Sequence, residues 1–393
     1  MKVNLFNIFI EIAEKGINLL NKYGKIPGGQ NGPYHDPETP VRNSSHWLIL
    51  FAKLYEIENN SKYKDCVYKL AQFLISEDAR PFGYSFHHRN KIKKDKCNGL
   101  IGQAWTIEAL ITSSKILEDE IYEKNAQEVF FQHPFKNKVK LWNRLEINGK
   151  ILSIDGTFNH QLWFASSLVI DKNINNNEVK KRIDSFIDNI SENLEILENG
   201  LIFHNIIRIW EKYFFIKYLY KTILKSSSEN MKALFYRKHK CRRIRNIEDY
   251  KKAQIEREIY RSIGYHSFNL YAFAILKKYI PDHSFWEGEQ FKKTLTYLLS
   301  KDYEKKIRYN IYGFSYNAPG FEIPFVLDTF FSNKNQIVIK QCEKWINWQF
   351  RQTYNSKTAL FDRNNPDPLT LTSRFYELTR LSPVLFEKIN VEI

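Results

Sequence analysis

The chain has 393 residues, of which 43% are hydrophobic and 26% are charged, and these fractions exclude a disordered chain or a fibre. Its 15 glycines are few, which favours helices over a glycine-rich nucleotide-binding fold or a turn-dense β-sandwich. The net charge of +15 predicts anionic partners, such as nucleic acid, acidic glycans or membrane phosphates. The length allows one large domain or two to three smaller ones.

The cysteines and the N-terminus indicate where such a chain resides. Cys66, Cys97, Cys241 and Cys342 are widely spaced and form no CxxC pattern, so we expect neither a zinc site nor a disulfide framework. Met1 is followed by an amphipathic pattern rather than a signal sequence, and no stretch reaches the roughly 20 apolar residues that span a bilayer. We therefore expect a cytoplasmic protein without a bound metal or cofactor.

Six segments repeat their apolar residues every three to four positions, which predicts amphipathic helices. In chain order they are the segment that starts at Leu5, 61–76, a segment near 118–132, Asn177 to Asn193, and about 287–300 and 336–350. Their opposite faces are polar, as expected for helices at a protein surface.

A second kind of helix, apolar nearly all round and opened by a polar motif, is predicted between these segments. The motifs open at Arg42, Asn98, Gly156, Gly264, Pro319 and Pro368. With one landmark residue in each motif, successive landmarks are 56, 58, 106, 56 and 50 residues apart; they are His46, Gly102, His160, His266, Glu322 and Thr372. The step of 106 residues contains an insertion. Such a repeat indicates one supersecondary unit stacked on itself. Six outer and six inner helices would close into an all-α toroid, a single domain over 1–393.

This arrangement resembles the six-hairpin, or (α/α)6, glycosidase-like superfamily, and the opening motifs are similar to those of a group associated with surface-polysaccharide gene clusters. The resemblance covers nearly the whole chain outside about 200–260. It implies an (α/α)6 toroid of six helical hairpins, with a basic insertion at 201–260 in the fourth hairpin. Because hydrolases, lyases and sugar epimerases share this fold, the resemblance does not fix the reaction.

The six inner helices are all expected to begin at one end of the toroid, where their N–H groups would converge on a ligand. Aromatic rings there suit the apolar faces of sugars, planar polar groups suit hydroxyls, and arginines suit carboxylates. The predicted substrate-binding residues are Arg42, His46, Arg89, Asn98, Gln103, Trp105, Asn159, His160, Trp163, Tyr265, Tyr316 and Arg374.

Carboxylates and histidines on the same face suggest the chemistry. Glu322 lies in an otherwise apolar helix start, and with Asp155 it is the predicted acid–base pair of an inverting glycoside hydrolase. His88 and His266 complete the predicted catalytic set, and Asp36 is a further carboxylate on this face. A lyase or C5-epimerase would instead take a proton beside a carboxylate, with His or Tyr as the base and Arg neutralising the acid.

We therefore expect a carbohydrate-active enzyme of surface-glycan metabolism, in the first instance a glycoside hydrolase acting on a polysaccharide or oligosaccharide, with uronate-containing chains included. A uronate lyase, a C5-epimerase and a non-catalytic glycan-binding or assembly protein remain open. His88, Arg89, His160, Tyr265, His266 and Arg374 fit a lyase or epimerase as well as the carboxylates fit a hydrolase, so the sequence leaves the reaction open.

Residues 201–245 interrupt the repeat with twelve Lys or Arg and two Glu. This aromatic and cationic stretch is typical of a helix lying in a membrane interface, or of an inner helix with a solvated basic tail. The first interpretation predicts peripheral binding to the anionic inner face of the membrane, where a lipid-linked glycan would be reached. No nucleic-acid-binding motif accompanies the charge, so we expect no nucleic-acid partner.

Overall fold

The computed structural model describes residues 2–170, 176–210, 247–331 and 336–393. Strand β1 (Lys2–Asn4) opens the chain and pairs antiparallel with β5 (Asn390–Glu392), so the two ends lie side by side. Between them, the described residues are mainly helical, as the composition and the periodicity predict.

The outer helices follow the predicted amphipathic segments closely. They are α1 (Leu5–Tyr23), α3 (Ser61–Leu74), α5 (Glu120–Gln132), α7 (Asn177–Asp188), α9 (Glu289–Leu298) and α12 (Gln336–Thr353). Helix α1 illustrates the pattern, because Leu5, Phe9 and Ile12 are buried on one face while its N-terminus is capped by the Asn4 side chain. The short helices α10 (Lys301–Ile307) and α14 (Pro383–Lys388) supplement the set.

The inner helices form a closed ring. They are α2 (Val41–Glu58), α4 (Gly99–Leu117), α6 (Phe158–Ser167), α8 (Ile247–Tyr279), α11 (Pro319–Phe330) and α13 (Pro368–Ser373), which continues as a 3-10 helix over Arg374–Arg380. Each inner helix packs against the next, and the 3-10 helix packs back on α2. Almost every residue of α4 is buried, since outer helices cover the ring from outside. That the chain is a single domain over 1–393 stays a prediction.

The fourth inner helix differs from the prediction, which was wrong to start it at Gly264. Helix α8 begins at Ile247 and carries Gly264 in its interior. Residues 251–263 contain neither Gly nor Pro and are rich in Lys, Glu, Arg, Ala and Gln, which are strong helix formers. Gly264 serves packing instead, because a Cβ atom there would lie 2.4 Å from Cβ of Tyr312.

A small sheet between α5 and α6 was not predicted. Strands β2 (Phe135–Lys136), β3 (Leu141–Leu145) and β4 (Ile151–Ile154) pair antiparallel in chain order. Trp142 of β3 is buried against Phe130 and Phe164, with ring centroids 5.7 and 5.6 Å away. The sheet thus anchors the chain that leads to Asp155 and the start of α6.

The first part of the proposed insertion packs into the fold. Ile202, Phe203 and His204 are buried, and Asn205 forms a β-bridge with Thr157 at the start of α6. Residues 211–246 lie outside the described residues, so the predicted membrane contact through 201–245 and the cytoplasmic location stay predictions. None of the helices in the described ranges is long and apolar enough to cross a membrane.

Candidate functional site

A cavity of about 210 Å³ opens at the loop end of the ring, and all six hairpins contribute to its wall. Eight of the predicted substrate-binding residues line it: Arg89, Asn98, Trp105, Asn159, His160, Tyr265, Tyr316 and Arg374. The space is smaller than the roughly 300–1,000 Å³ of pockets for drug-sized ligands, so it suits about one sugar ring.

His160 is the best-placed proton acceptor in this wall. Its Nδ1 lies 2.9 Å from Oδ2 of Asp155, and its side chain is 24% exposed towards the cavity. Burial raises the pKa of Asp155, but His160, Arg144 and the Leu100 N–H outweigh burial and hold that pKa well below its usual range. In the neutral form of this imidazole, the charged Asp155 holds the proton on Nδ1, and Nε2 is then the nitrogen that can accept a proton.

The start of α4 is built around this pair. The backbone N–H of Leu100 donates to Oδ2 of Asp155 over 3.1 Å, so the carboxylate also sits at a helix N-terminus. Gly99 has a φ of +61°, and a Cβ atom there would lie 2.6 Å from Oδ2 of Asp155 and 2.9 Å from Nδ1 of His160. Glycine at 99 is what allows the helix to approach the pair so closely.

A neutral group of side chains lies next to His160. The hydroxyls of Tyr34 and Tyr265 are 2.8 Å apart, and the ring of Tyr265 lies 4.5 Å from that of His204. Burial, together with Tyr316 and Tyr34, raises the pKa of Tyr265 well above its usual value, so its phenol keeps its proton. Burial, with Arg261 and His160 nearby, holds the pKa of His204 well below its usual value, so this imidazole is neutral.

Arg374 reaches the cavity from the sixth hairpin with two carboxylates behind it. Its Nη2 donates to Glu322 and to Glu377 over 2.5 Å each, and all three side chains are buried. The Ser267 hydroxyl donates to the second oxygen of Glu322. Burial raises the pKa of Glu322 to about 8, against the opposing effect of Arg374. Burial likewise raises the pKa of Glu377 well above its usual value. The charge of Arg374 opposes this rise, and the nearby carboxylate of Glu322 adds to it.

The charge of the lining is positive. Among the described lining residues there are four cationic side chains and one carboxylate. The cations are Arg89, Lys94, Arg261 and Arg374, and the carboxylate is Asp36. Nζ of Lys94 lies 2.6 Å from Asp36, and Arg89 also contacts it, so that carboxylate is already paired. Behind the wall, Glu258 pairs with Arg261, and Glu322 and Glu377 pair with Arg374, so an anionic ligand would share these cations with the carboxylates that already contact them.

The predicted acid–base pair lies behind the wall rather than in it. Neither Glu322 nor Asp155 is among the residues that line the cavity. Glu322 is held by Arg374 and Ser267, and Asp155 by His160 and the Leu100 N–H. Their predicted roles as direct acid and base on a sugar therefore find no support in this geometry.

Three further predicted residues form a second layer beneath the cavity. The guanidinium of Arg42 lies 4.1 Å from the ring of Trp105 and pairs with Glu38. His46 stacks on Tyr376 and meets the edge of Trp105, and His88 Nε2 lies 3.1 Å from the Thr106 hydroxyl. None of the three lines the cavity, and Arg42 and His46 pack against Trp105, which does, so their predicted roles stay predictions.

Three more predicted residues form hydrogen bonds that hold parts of the fold together: Gln103, Trp163 and His266. Gln103 bonds the backbone of the second loop at two residues, and Trp163 donates to the carbonyl of Phe268. His266 is buried, with its ring nitrogens facing the N–H of Ile202 and the carbonyl of Thr294. Their predicted functional roles stay predictions.

Nine lining residues were not predicted from the sequence: Asn31, Tyr34, Lys94, Ile101, Thr157, His204, Arg261, Phe268 and Asn317. His204 lies in the stretch interpreted as an insertion, and Arg261 precedes the wrongly placed helix start at Gly264. The position of Arg261 could have been predicted from the sequence, because Arg261, Tyr265 and Phe268 follow the i, i+4, i+7 spacing of one helix face. Within the described ranges, no group of three or more His, Cys, Asp or Glu side chains could hold a metal ion.

Comparisons with solved structures define the class. The chain is similar to cellobiose 2-epimerase from Bacillus thermoamylovorans, with a TM-score of 0.59 and 11% identity over 95% of this chain and 97% of that chain. It is also similar to a GH76 α-1,6-mannanase from Salegentibacter sp., with a TM-score of 0.55 and 10% identity over 97% and 100% of the two chains. The chain therefore has the all-α (α/α)6 toroid fold of these proteins, which confirms the predicted fold class.

Sequence comparison defines the family. No protein-family model matches the chain. Over 378 residues it is 38% identical to archaeal glycosylation protein Q from Haloferax volcanii, and the match covers 96% of this chain and 97% of that protein. The chain belongs to the family of archaeal glycosylation protein Q. Its fold is thus one used by enzymes that act on sugars, and its relative is a glycosylation protein.

Proposed function

We propose that this chain is an enzyme of glycan assembly that moves a proton at a carbon atom of one anionic sugar residue, with His160 as the base. The observation that carries the proposal is the His160–Asp155 pair, in which Asp155 engages Nδ1 of a histidine that lines the cavity and leaves Nε2 outside the pair. A buried carboxylate that orients an imidazole in this way fixes its tautomer and stabilises the cation formed when it takes a proton.

The positive lining supports a uronate as the sugar. A carbon next to a carboxylate loses its proton most easily when the negative charge that develops on the acid group is stabilised. Arg374 comes from the sixth hairpin, across the ring from His160 in the third, and would hold the sugar carboxylate in place of one of its two partners, Glu322 or Glu377, while His160 faces the ring carbon. Trp105 and Phe268 offer apolar surface for the sugar.

Removal of the proton from the sugar carbon can lead to epimerisation or to elimination, and the fate of the resulting enolate distinguishes the two. The C–H electron pair moves into the carboxylate to give an enolate, and the proton goes to Nε2 of His160. If the phenol of Tyr265 then donates its proton to the opposite face of the carbon, the sugar is epimerised; His160 releases the proton that it took to solvent, and the phenolate of Tyr265 takes one back. If the enolate instead expels the group on the neighbouring carbon, the product is an unsaturated sugar. The Tyr265–Tyr34 pair holds a phenol proton beside the cavity that either outcome would use, on the carbon in epimerisation or on the leaving oxygen in elimination.

Glycoside hydrolysis, the first expectation from sequence, receives less support. Inverting hydrolysis needs two carboxyl groups about 6.5–9.5 Å apart that flank the bond to be cleaved. Among the described lining residues, Asp36 is the one carboxylate, and Lys94 and Arg89 already engage it.

One assay separates these reactions. The protein is incubated in D₂O with glucuronate, galacturonate and mannuronate, each free and as the non-reducing end of an oligosaccharide, and the products are followed by NMR. Deuterium at a ring carbon without cleavage is the expected result. An unsaturated product would indicate elimination. New reducing ends without deuterium on carbon would replace the proposal with hydrolysis, and binding without any product would indicate a non-catalytic glycan-binding protein.

A further inference from the structure

Two loops beside the cavity carry exposed apolar side chains flanked by cations. In the loop over 89–96, Ile92 is 84% exposed, and the exposed Lys93 and Lys96 lie close to it in sequence. Arg89 and Lys94 of the same loop turn inward and line the cavity. The base of this loop is therefore part of the site, while its tip points to solvent.

The second loop follows α10 and leads to the start of α11. Tyr309 is 84% exposed and Ile311 is 51% exposed, and the exposed Lys305 and Arg308 precede them. Singly exposed apolar side chains are common and need no explanation. Here, however, three of them, Ile92, Tyr309 and Ile311, lie on two loops of the same rim.

A chain of contacts shows that the two loops are neighbours. Nζ of Lys94 lies 5.5 Å from the ring of Tyr34, and that ring lies 5.6 Å from the ring of Tyr312. Tyr312 follows Ile311 directly, and Tyr34 lines the cavity. We call Ile92, Lys93, Lys96, Arg308, Tyr309 and Ile311 the mouth surface.

The acidic residues of these loops do not cancel its charge. Asp95 pairs with Arg89 and Arg144, and Asp302, near the second loop, pairs with Lys306. Asp36 beneath the first loop is held by Lys94 and Arg89. The mouth surface thus presents cations around apolar tips, which is the composition of surfaces that bind anionic bilayers.

We propose that the mouth surface docks on an anionic lipid bilayer, with Ile92 and Tyr309 entering the headgroup region and the cavity opening towards the membrane. The inference does not depend on the reaction in the cavity, and it concerns described residues rather than 211–246. A bilayer is favoured over a soluble polyanion because an apolar tip gains from an apolar phase, whereas charge alone would need lysine and arginine only.

The direct test measures how polar the surroundings of single side chains are, with and without lipid vesicles. Ile92→Cys, Tyr309→Cys and Ile337→Cys are made in the full chain with Cys241→Ser, and each is labelled with the polarity-sensitive fluorophore NBD. Ile337 is the matched control, because it is 67% exposed but lies near the start of the outer helix α12, whose other end leads to the cavity rim.

With vesicles of phosphatidylglycerol, NBD emission should shift to shorter wavelength at 92 and 309 and stay unchanged at 337. The shift should weaken at high salt, because added ions screen the attraction, and be absent with phosphatidylcholine. No shift at 92 and 309, an equal shift at 337, or an equal shift with dextran sulfate, a soluble polyanion, would overturn the proposal.

A pair of matched double variants tests the same surface without a label. Ile92→Ser with Lys93→Glu should lower the partition coefficient on phosphatidylglycerol vesicles at least about tenfold, since one charge near such a surface is worth about fivefold. Ile337→Ser with Lys340→Glu should leave it unchanged. Equal partition of the two double variants would contradict docking through the mouth surface.

Discussion

At the level of single residues, the proposed reaction gives Asp155 a positioning role, because Asp155 contacts His160 and does not line the cavity. Its Oδ2 is 2.9 Å from Nδ1 of His160 and 3.1 Å from the Leu100 N–H, and burial shields both contacts from water. A carboxylate in this place fixes the tautomer of the imidazole and compensates the charge that the imidazole acquires. The electrostatic part of this role requires a charge, not merely a hydrogen-bonding group.

We therefore predict that Asp155→Asn lowers kcat of the exchange reaction by about a hundredfold or more, within the range of 10²–10⁴ that general base catalysis contributes. KM should change little, because Asp155 does not line the cavity. Steady-state kinetics on the substrate found by NMR provides the measurement. A large rise in KM with an unchanged kcat would instead mean that Asp155 shapes the binding wall.

Glu322 gives the protein a pH-dependent stability. Burial raises its pKa from 4.5 to about 8 in the folded protein. Between these values the folded state holds a proton that the unfolded state has released, so the stabilisation present below about pH 4.5 is lost as the pH rises towards 8. The effect is at most about 1.4 kcal/mol per pH unit.

Glu322→Gln should remove this contribution. Chemical denaturation of both proteins between about pH 5 and 8 should show the free energy of unfolding of the variant rising relative to that of the native chain. The difference between the two proteins is the relevant quantity, because the buried histidines titrate in both. A difference that stays constant over this range would show that Glu322 is ionised throughout.

At the level of elements, the start of α4 is the most constrained part of the site. Asn98 and Gly99 have φ values of +57° and +61°, a left-handed pair that turns the chain into the helix directly beside Asp155. Because a Cβ atom at 99 would collide with both members of the His160–Asp155 pair, substitution there should displace the base as well as strain the backbone.

Gly99→Ala should therefore destabilise the protein by about 1–3 kcal/mol and also reduce exchange activity at least tenfold. Gly24→Ala is the matched control, since Gly24 has a φ of +70° and no atom within 4 Å of an added Cβ. The control should lose stability only, as measured by thermal unfolding. Full activity of Gly99→Ala would contradict the proposed role of the His160–Asp155 geometry.

The elements differ in how well sequence could predict them. The amphipathic outer helices can be predicted from the helical period of their apolar residues. Their observed bounds lie within a few residues of the predicted bounds, except at the C-terminal end of α7. Strands β2 and β4 are two and four residues long, too short for an alternating pattern to register. The start of α8 was missed because Gly264 was interpreted as a boundary, whereas glycine in a helix can also serve close packing.

The whole molecule brings residues that are far apart in sequence into one wall. The repeat predicted a ring whose loops meet at one end, and in the structure His160, Tyr265 and Arg374 line one cavity there. The repeat could not distinguish lining residues from those behind them, since Glu322 and Trp105 both lie near inner-helix starts. That distinction depends on side-chain direction and ion pairing, which single-sequence patterns do not contain.

The central claim, that His160 takes a proton from a sugar carbon in this cavity, is tested most directly by comparing two histidine variants. Deuterium incorporation into the uronate substrate is followed by NMR in D₂O for the native chain, for His160→Gln and for His87→Gln. His87 is a solvent-accessible neighbour of the site that bonds Asn90 and does not line the cavity. We predict that His160→Gln lowers the exchange rate at least about a hundredfold and that His87→Gln leaves it unchanged. Exchange at the native rate in His160→Gln would contradict the account.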